Sequence, residues 1–387
     1  MRIKKKTLQF GFFMGVVFIL LMGIDITNRI GTNPLKLILL FILLGMHLQK
    51  RKRFSATTIF VEMAYLVIFA STIINGRSLR NVFGALIAPM AMMLYFDYGM
   101  KTNRDIFMKV VKGILLLFVI LNFITLLFFP NGLYTVDGNS LYWFLGFKNI
   151  HIRYIIPAIA IVVAEELRQK REKGSSTILL FLIGILSCVL AKSSTGIVGM
   201  MVFGGLLWAD RIRGKVKAKI WKAILNPVVI IVVILLLDYV ILLGDASFLS
   251  GLIIENFGKD ITFTGRAYVW ERCIELIKAQ PFLGYGHINS DDFFNLISVN
   301  IRAHPHNYIL GWIFYGGVFS LLMIILAYFV VIKKYFKNAT SESRVYMWAI
   351  ISFLVMGITD VGLYSVLFHP MLLMCEESVQ KQRELKI

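Results

Sequence analysis

Apolar runs long enough to cross a lipid bilayer recur along the whole sequence. We predict spanning helices near residues 8–26, 35–48, 54–74, 81–98, 109–129, 152–167, 177–191, 194–209, 221–243, 307–332, 345–360 and 362–376. Each run is assigned as a helix because an open backbone in hydrocarbon leaves its polar groups unpaired. The last two runs have a second interpretation, one long helix with a break at Asp360. Charged residues make up only 16% of the chain, against about 25% in soluble domains. The sequence therefore predicts an all-α, polytopic membrane protein with about twelve transmembrane helices.

Most basic residues fall in short clusters that separate alternate apolar runs. Cytoplasmic loops carry such clusters, so we predict a multi-pass protein of the cytoplasmic (inner) membrane with both termini in the cytoplasm. The net charge of +19 follows from this pattern, and we expect no nucleic-acid partner. Residues 244–306 then form one large external loop between spans nine and ten, inserted in a single membrane domain of residues 1–387. The basic start and first apolar run resemble a signal peptide, but no small-residue cleavage site follows Asp25, so we expect a retained span.

The spacing of cysteine and histidine indicates neither a disulfide framework nor a metal site. The three cysteines have no paired spacing, and no group of His, Cys, Asp or Glu has the spacing of metal ligands. The segment Gly284-Tyr285-Gly286 predicts a turn, because it lacks the lysine and the strand–helix context of a phosphate loop. We expect neither a metal nor a cofactor.

Some basic residues fall on the predicted external side, against the general bias, and these are the informative ones: Arg29, Lys36, Arg77, Arg80, Lys148, Arg153, Lys192, Lys259, Arg266, Arg272, Lys278 and Arg302. Lys192 lies between two apolar runs with almost no loop to hold it in water, and a cation near hydrocarbon is costly. It either extends its ammonium group to the interface or contacts a phosphate.

Arg266 lies near the start of a predicted helix in the external loop. Thr262 or Thr264 is its candidate N-cap. One face carries apolar residues at helical spacing, which predicts a helix lying along the mouth of the bundle. The apolar residues are Val269, Cys273, Ile274 and Ile277, and the helix ends before Pro281 and Gly284.

The guanidinium group of Arg266 has two interpretations. It pairs with Asp260 or Glu271 as an ordinary surface ion pair, or it binds two phosphate oxygens at once. Trp270 lies one turn further along the helix, so its ring can stack on the guanidinium group.

His304 and His306 flank Pro305 just before the tenth span. Histidine titrates near neutral pH, so one of them is a candidate base for an attacking sugar hydroxyl. The alternatives are an interfacial histidine and half of a metal site. In an extended segment, the two alternating side chains would point in opposite directions.

Four acidic residues fall inside predicted spans, where ionisable groups are expensive and therefore functional candidates. They are Asp25, Glu62, Asp238 and Asp360. Asp360 belongs to the external end of its span, on the same side as Arg266.

Taken in chain order, these pieces resemble the O-antigen ligase and polysaccharide polymerase superfamily of bacterial envelopes. The likeness covers roughly residues 175–330 and rests on Thr264-Gly265-Arg266 with Trp270, Pro281, Gly284-Tyr285-Gly286, His306-Asn307-Tyr308-Ile309-Leu310 and Gly316-Gly317. Lys148-Asn149 also resembles the Lys-Asn pair that starts a middle span in many polymerases.

The resemblance implies a metal-independent glycosyltransferase that uses an undecaprenyl-pyrophosphate-linked oligosaccharide at the outer face of the cytoplasmic membrane. Arg266 matches the family's loop arginine, which contacts pyrophosphate, and His306 matches its loop histidine, proposed to activate the acceptor hydroxyl. Lys192 stands where the family often has an arginine, so the charge is kept but the two-pronged donor geometry is lost. We also expect contacts to pyrophosphate or sugar from Arg80, Lys148, Arg302, His304, Asn307, Trp270 and Asp360.

Three functions follow from this interpretation. A polymerase joins lipid-linked repeat units into an exopolysaccharide, capsule or O-antigen chain, and it is our first choice. A ligase moves a finished glycan to another acceptor and has the same motifs. A transporter or flippase of lipid-linked sugars is typically built from inverted repeats and broken helices, which the sequence does not indicate. Expected partners are membrane lipid, a chain-length regulator and a flippase.

Overall fold

The computed structural model describes residues 2–21, 33–49, 53–136, 140–169, 174–213, 224–243, 261–297, 304–360 and 365–384. Thirteen helices and one three-stranded sheet lie within these ranges. Several of the helices are long and apolar, which confirms the prediction of a polytopic helical membrane protein.

The helices follow one another along the chain with a small sheet after the fourth. They are α1 (Arg2–Leu21), α2 (Asn33–Gln49), α3 (Ala56–Ile74), α4 (Leu79–Phe128), α5 (Ile152–Arg168), α6 (Gly174–Leu190), α7 (Ser194–Arg213), α8 (Pro227–Leu243), α9 (Ile261–Ala279), α10 (Ser290–Ile297), α11 (Tyr308–Asn338), α12 (Ser341–Gly357) and α13 (Phe368–Glu384). The strands are β1 (Tyr134–Val136), β2 (Ser140–Trp143) and β3 (Gly146–Phe147).

Four of the described helices are long and apolar enough to cross a membrane, namely α3, α4, α7 and α11. Shorter apolar segments lie in α2, α6 and α8. The number of about twelve spans stays a prediction. The predicted first span and the predicted external loop both extend beyond the described residues.

The helix α4 contains the fourth and fifth predicted spans and reverses direction between them. Asn103 has non-helical dihedral angles, φ −156° and ψ 80°. The ring of Phe107 lies 5.0 Å from that of Tyr95, whereas a straight helix would separate these residues by about 18 Å. The two predicted spans are therefore two legs of a hairpin. At the other end of the chain, α12 and α13 are two helices, so the single-helix interpretation of this region is wrong.

A small antiparallel sheet, which the sequence pattern does not predict, follows α4. Strand β2 pairs with β1 and β3, with Tyr134 opposite Tyr142. Trp143 of β2 packs with Leu126 of α4 and with Ala191 in the turn between α6 and α7. The sheet thereby joins the end of α4 to that turn.

The helix α11 is broken at Gly317, and a loop of the same chain fills the break. Gly317 has a φ of 64°, which glycine adopts without steric cost. The carbonyl group of Phe314 accepts a hydrogen bond of 2.9 Å from the N–H group of Tyr285. In return, the N–H group of Val318 donates to the carbonyl group of Pro281 at 2.8 Å. A membrane helix tolerates such a break because the freed groups find partners.

The glycines of this junction are required by the close approach of two backbones. A Cβ atom on Gly317 would lie 2.1 Å from the carbonyl oxygen of Phe282, and one on Gly284 would lie 2.5 Å from that of Phe314. The Gly284-Tyr285-Gly286 turn therefore packs against the backbone of α11 at the break. The pattern of apolar residues does not indicate this break, so the interpretation of residues 307–332 as an unbroken helix is wrong.

One end of the bundle carries a network of ion pairs that join the predicted cytoplasmic loops. The pairs are Lys101–Asp97, Arg104–Glu342, Lys112–Glu165, Arg168–Asp105, Lys334–Glu376 and Arg344–Asp210. The loops that the positive-inside rule assigns to one side thus lie together. The side of the membrane that this end faces stays a prediction.

Candidate active site

The helix α9 carries Arg266 and packs against α8 and α11. It begins at Ile261, so Thr262 and Thr264 lie inside it and the prediction that one of them is the N-cap is wrong. The predicted apolar face is present, because Val269 and Cys273 are buried together with Trp270.

Trp270 connects α9 to the histidine segment. Its indole N–H donates a hydrogen bond of 2.9 Å to the carbonyl oxygen of Pro305, and its side chain is 1% exposed. A buried indole usually finds such a partner. Through this bond α9 fixes the position of the residue between His304 and His306.

The two histidine side chains converge. His306 has a φ of 49°, a left-handed conformation that is uncommon outside glycine. The imidazole rings of His304 and His306 therefore lie 4.3 Å apart. The expectation that they point in opposite directions is wrong, because the segment is not extended.

Asn307 is the N-cap of α11 and anchors the segment on its other side. Its Oδ1 accepts from the N–H group of Leu310 at 2.8 Å, while Nδ2 donates to Oδ1 of Asp238 at 2.6 Å and to the carbonyl oxygen of Ile358 at 3.2 Å. The side chain is fully buried. These bonds tie the start of α11 to α8 and to the end of α12.

Arg153 and Asp360 form an ion pair at this end of the bundle. One guanidinium nitrogen of Arg153, at the start of α5, lies 3.0 Å from both carboxylate oxygens of Asp360, just after α12. Burial raises the pKa of Asp360, but the charge of Arg153 and its hydrogen bonds to the carboxylate outweigh burial, so the pKa lies below its usual value. Asp360 is therefore a carboxylate at neutral pH.

The charges of these groups act on one another, so they form a single cluster, which we call the arginine–histidine cluster: Arg153, Arg266, His304, His306 and Asp360. Burial, aided by the positive charge of Arg266, lowers the pKa of His306 to about 3. Burial also lowers the pKa of His304. Both imidazoles are neutral at physiological pH, and perturbed groups of this kind concentrate at functional sites.

Lys148 and Lys192 each precede a residue of a hydrogen-bonded pair, Asn149 and Ser193. The hydroxyl group of Ser193 donates to Oδ1 of Asn149 at 2.9 Å, which joins the segment after β3 to the turn before α7. Lys192 has a φ of 53° and is exposed. The Lys148 ammonium group lies 5.8 Å from the centre of the Phe147 ring. The two lysines thus lie in adjacent segments.

Two other predicted site residues lie elsewhere. Arg80 is exposed in the first turn of α4, and Arg302 lies outside the described residues. The structure adds Arg153 and Asp238, which were not among the predicted site residues. Their signals in the sequence were a cation on the external side and an acid inside a span.

Within the described ranges, no three His, Cys, Asp or Glu side chains lie close enough together to hold a metal ion. Arg266 has no hydrogen-bonded acid in the same ranges, and Asp260, one of its two predicted partners, lies outside them.

The fold and the site define a polytopic membrane protein with a half-buried arginine–histidine cluster at one end. Residues 179–325 match the family model described as O-antigen ligase, so this part of the chain is similar to that family. The exopolysaccharide production protein ExoQ of Rhizobium meliloti (strain 1021) is 28% identical over 103 residues, which cover 24% of each chain. The match therefore spans about a quarter of that relative's length.

Proposed function

We propose that this protein is a polysaccharide polymerase, a glycosyltransferase that joins undecaprenyl-pyrophosphate-linked repeat units at the outer face of the cytoplasmic membrane. The observation that carries the proposal is the placement of Arg266, without an acidic hydrogen-bond partner in the described ranges, in one cluster with two neutral histidines. The family match over residues 179–325 supports the same reaction class.

The reaction forms one carbon–oxygen bond and breaks another. The acceptor hydroxyl oxygen attacks the anomeric carbon of the donor sugar, and the bond from that carbon to the pyrophosphate oxygen breaks. Arg266 stabilises the negative charge that develops on the leaving pyrophosphate. His306 takes the hydroxyl proton, which a neutral imidazole can accept.

The donor itself adjusts the base. In the free protein, burial and the cation Arg266 hold the pKa of His306 at about 3. An anionic pyrophosphate bound to Arg266 offsets the positive charge of Arg266 and favours the protonated imidazole, so it raises the pKa of His306. The imidazole thus becomes a stronger base only when the donor is bound.

The proposal assigns charge stabilisation to guanidinium groups, so it requires no divalent metal ion. Turnover of purified lipid-linked repeat units should persist after a chelator has removed divalent cations. Loss of turnover with the chelator, and recovery with added Mg²⁺ or Mn²⁺, would contradict the metal-independent mechanism.

A ligase is the second candidate, because the matching family model is described as O-antigen ligase. Glycan analysis of a deletion strain separates the two. Surface glycan reduced to single repeat units supports the polymerase, while long lipid-linked glycan that remains unattached supports the ligase.

A further inference from the structure

Two arginines at the junction of α3 and α4 have no acidic partner in the described part of the chain: Arg77 and Arg80. The other described arginines at this end, Arg153 and Arg272, pair with Asp360 and Glu275. Among the described arginines of this end, Arg266 shares with Arg77 and Arg80 the lack of an acidic partner in the described ranges. A guanidinium group without an acid is available to an anionic ligand.

Arg77 is held in place while one of its donors remains without an acceptor. Its N–H group donates to the carbonyl group of Thr72 at 2.9 Å, which fixes the backbone after α3. Its Nε atom is buried and has no hydrogen-bond partner. A buried orphan donor is unfavourable in the free protein, and a phosphate oxygen would satisfy it.

Packing places Arg77 and the arginine–histidine cluster at the same end of the bundle. α3 runs antiparallel to α11, because Ile68 contacts the Gly316 position and Ser320 Oγ donates to Ala64 O at 3.3 Å. The end of α3, which precedes Arg77, therefore lies level with the start of α11, which follows His306.

Tyr285 lies between Arg77 and the helix α9, which carries Arg266. The charge of Arg77 acts on the Tyr285 phenol, whose hydroxyl donates to the carbonyl oxygen of Leu276 in α9 at 3.0 Å. Leu276 lies ten residues after Arg266, which corresponds to about 15 Å along the helix. Tyr285 thus connects the surroundings of Arg77 to the helix that carries Arg266.

Polymerisation requires two lipid-linked pyrophosphates. The donor's pyrophosphate leaves at the reaction centre, while the acceptor's remains on the far end of the repeat unit whose hydroxyl attacks. We propose that Arg77 and Arg80 bind the pyrophosphate of the acceptor lipid, while Arg266 binds that of the donor. This inference rests on the proposed polymerase function.

Binding stoichiometry tests the inference without turnover. The full chain in phosphatidylcholine nanodiscs is titrated with sugar-free undecaprenyl pyrophosphate. We expect two equivalents for the wild type and for the control Arg272→Gln, and one for Arg77→Gln/Arg80→Gln. Two equivalents in the double variant, or one in the wild type, would overturn the inference. So would loss of the second equivalent in nanodiscs that contain phosphatidylglycerol, since lipid headgroups would then be the occupants.

Kinetics separate this inference from the proposed function. The acceptor is a repeat-unit lipid with a methylene group in place of its anomeric oxygen, so that it cannot act as a donor. The donor is a repeat-unit lipid without its acceptor hydroxyl. Arg77→Gln/Arg80→Gln should raise KM for the acceptor at least tenfold and leave KM for the donor at its wild-type value. An unchanged acceptor KM overturns the inference alone, whereas undiminished turnover in Arg266→Gln contradicts the function.

Discussion

Nδ2 of Asn307 lies 2.6 Å from Oδ1 of Asp238, so an acid inside one membrane helix holds the start of another. Asp238 is 4% exposed and borders a cavity of about 20 Å³, enough for one water molecule. The side-chain amide of Asn307 supplies one hydrogen bond to the Asp238 carboxyl group, which therefore has a polar partner that is not a cation. Because Asn307 directly follows His306, this hydrogen bond also helps to hold His306 in place.

The first prediction concerns this pair. Asn307→Ala removes the N-cap and leaves Asp238 without its partner, so we expect the free energy of unfolding to fall by about 1–3 kcal/mol. Turnover should fall as well, because His306 loses its fixed orientation. Thermal unfolding in detergent and turnover of lipid-linked donor measure the two effects.

The control for this prediction exchanges the two side chains. Asn307→Asp alone places two carboxyl groups together and should destabilise the protein, while Asn307→Asp with Asp238→Asn restores an acid–amide pair. The exchanged protein should recover most of the lost stability. A wild-type melting temperature and turnover in Asn307→Ala would show that the bond has no such role.

The second prediction concerns the ion pair between Arg153 and Asp360, whose contribution to stability depends on pH. The pKa of Asp360 is lower in the folded protein than in the unfolded chain, so the pair stabilises the fold above the unfolded pKa of about 3.9. That stabilisation is lost as the pH falls through the lowered pKa. The difference in unfolding free energy between wild type and Asp360→Asn should therefore be constant from pH 8 to pH 5 and shrink below about pH 4. A difference that grows as the pH falls would contradict the assignment.

The third prediction concerns the break in α11. Gly317→Ala places a Cβ atom 2.1 Å from the Phe282 carbonyl oxygen and strains a residue with positive φ, so we expect a loss of about 1–3 kcal/mol of stability or more. Gly205→Ala in α7 is the matched control, because a Cβ atom there meets nothing within 4 Å. Equal melting temperatures for the two variants would refute the backbone docking.

Several long apolar helices, and the helix before the GYG turn, follow from local sequence patterns and are present in the structure. The reversal at Asn103 joins the predicted spans 81–98 and 109–129 into one hairpin, and each leg of the hairpin has its own run of apolar residues. The break at Gly317 could not be predicted, because it depends on a loop more than thirty residues earlier in the chain. The left-handed His306 depends likewise on Trp270 and Asn307, which fix the backbone on either side of it.

The fourth prediction concerns the pH profile of turnover. The pKa of His306 is about 3 in the free protein, so kcat/KM should stay level between pH 7 and pH 5. Since bound pyrophosphate raises the pKa of His306, kcat should begin to fall at a higher pH than kcat/KM. Measurement of both constants across this range checks the order. Acid limbs at the same pH for the two constants would argue against His306 as the base.

The central claim is that Arg266 and His306 act together on one lipid-linked pyrophosphate donor. It is tested most directly by turnover of purified lipid-linked repeat units in liposomes by the wild type, Arg266→Ala, His306→Ala and the control Arg272→Ala, whose arginine pairs with Glu275 on the same helix. We expect a loss of at least about 100-fold in kcat for the two site variants and wild-type turnover for the control. Full turnover in either site variant, with protein that is folded and inserted, would contradict the claim.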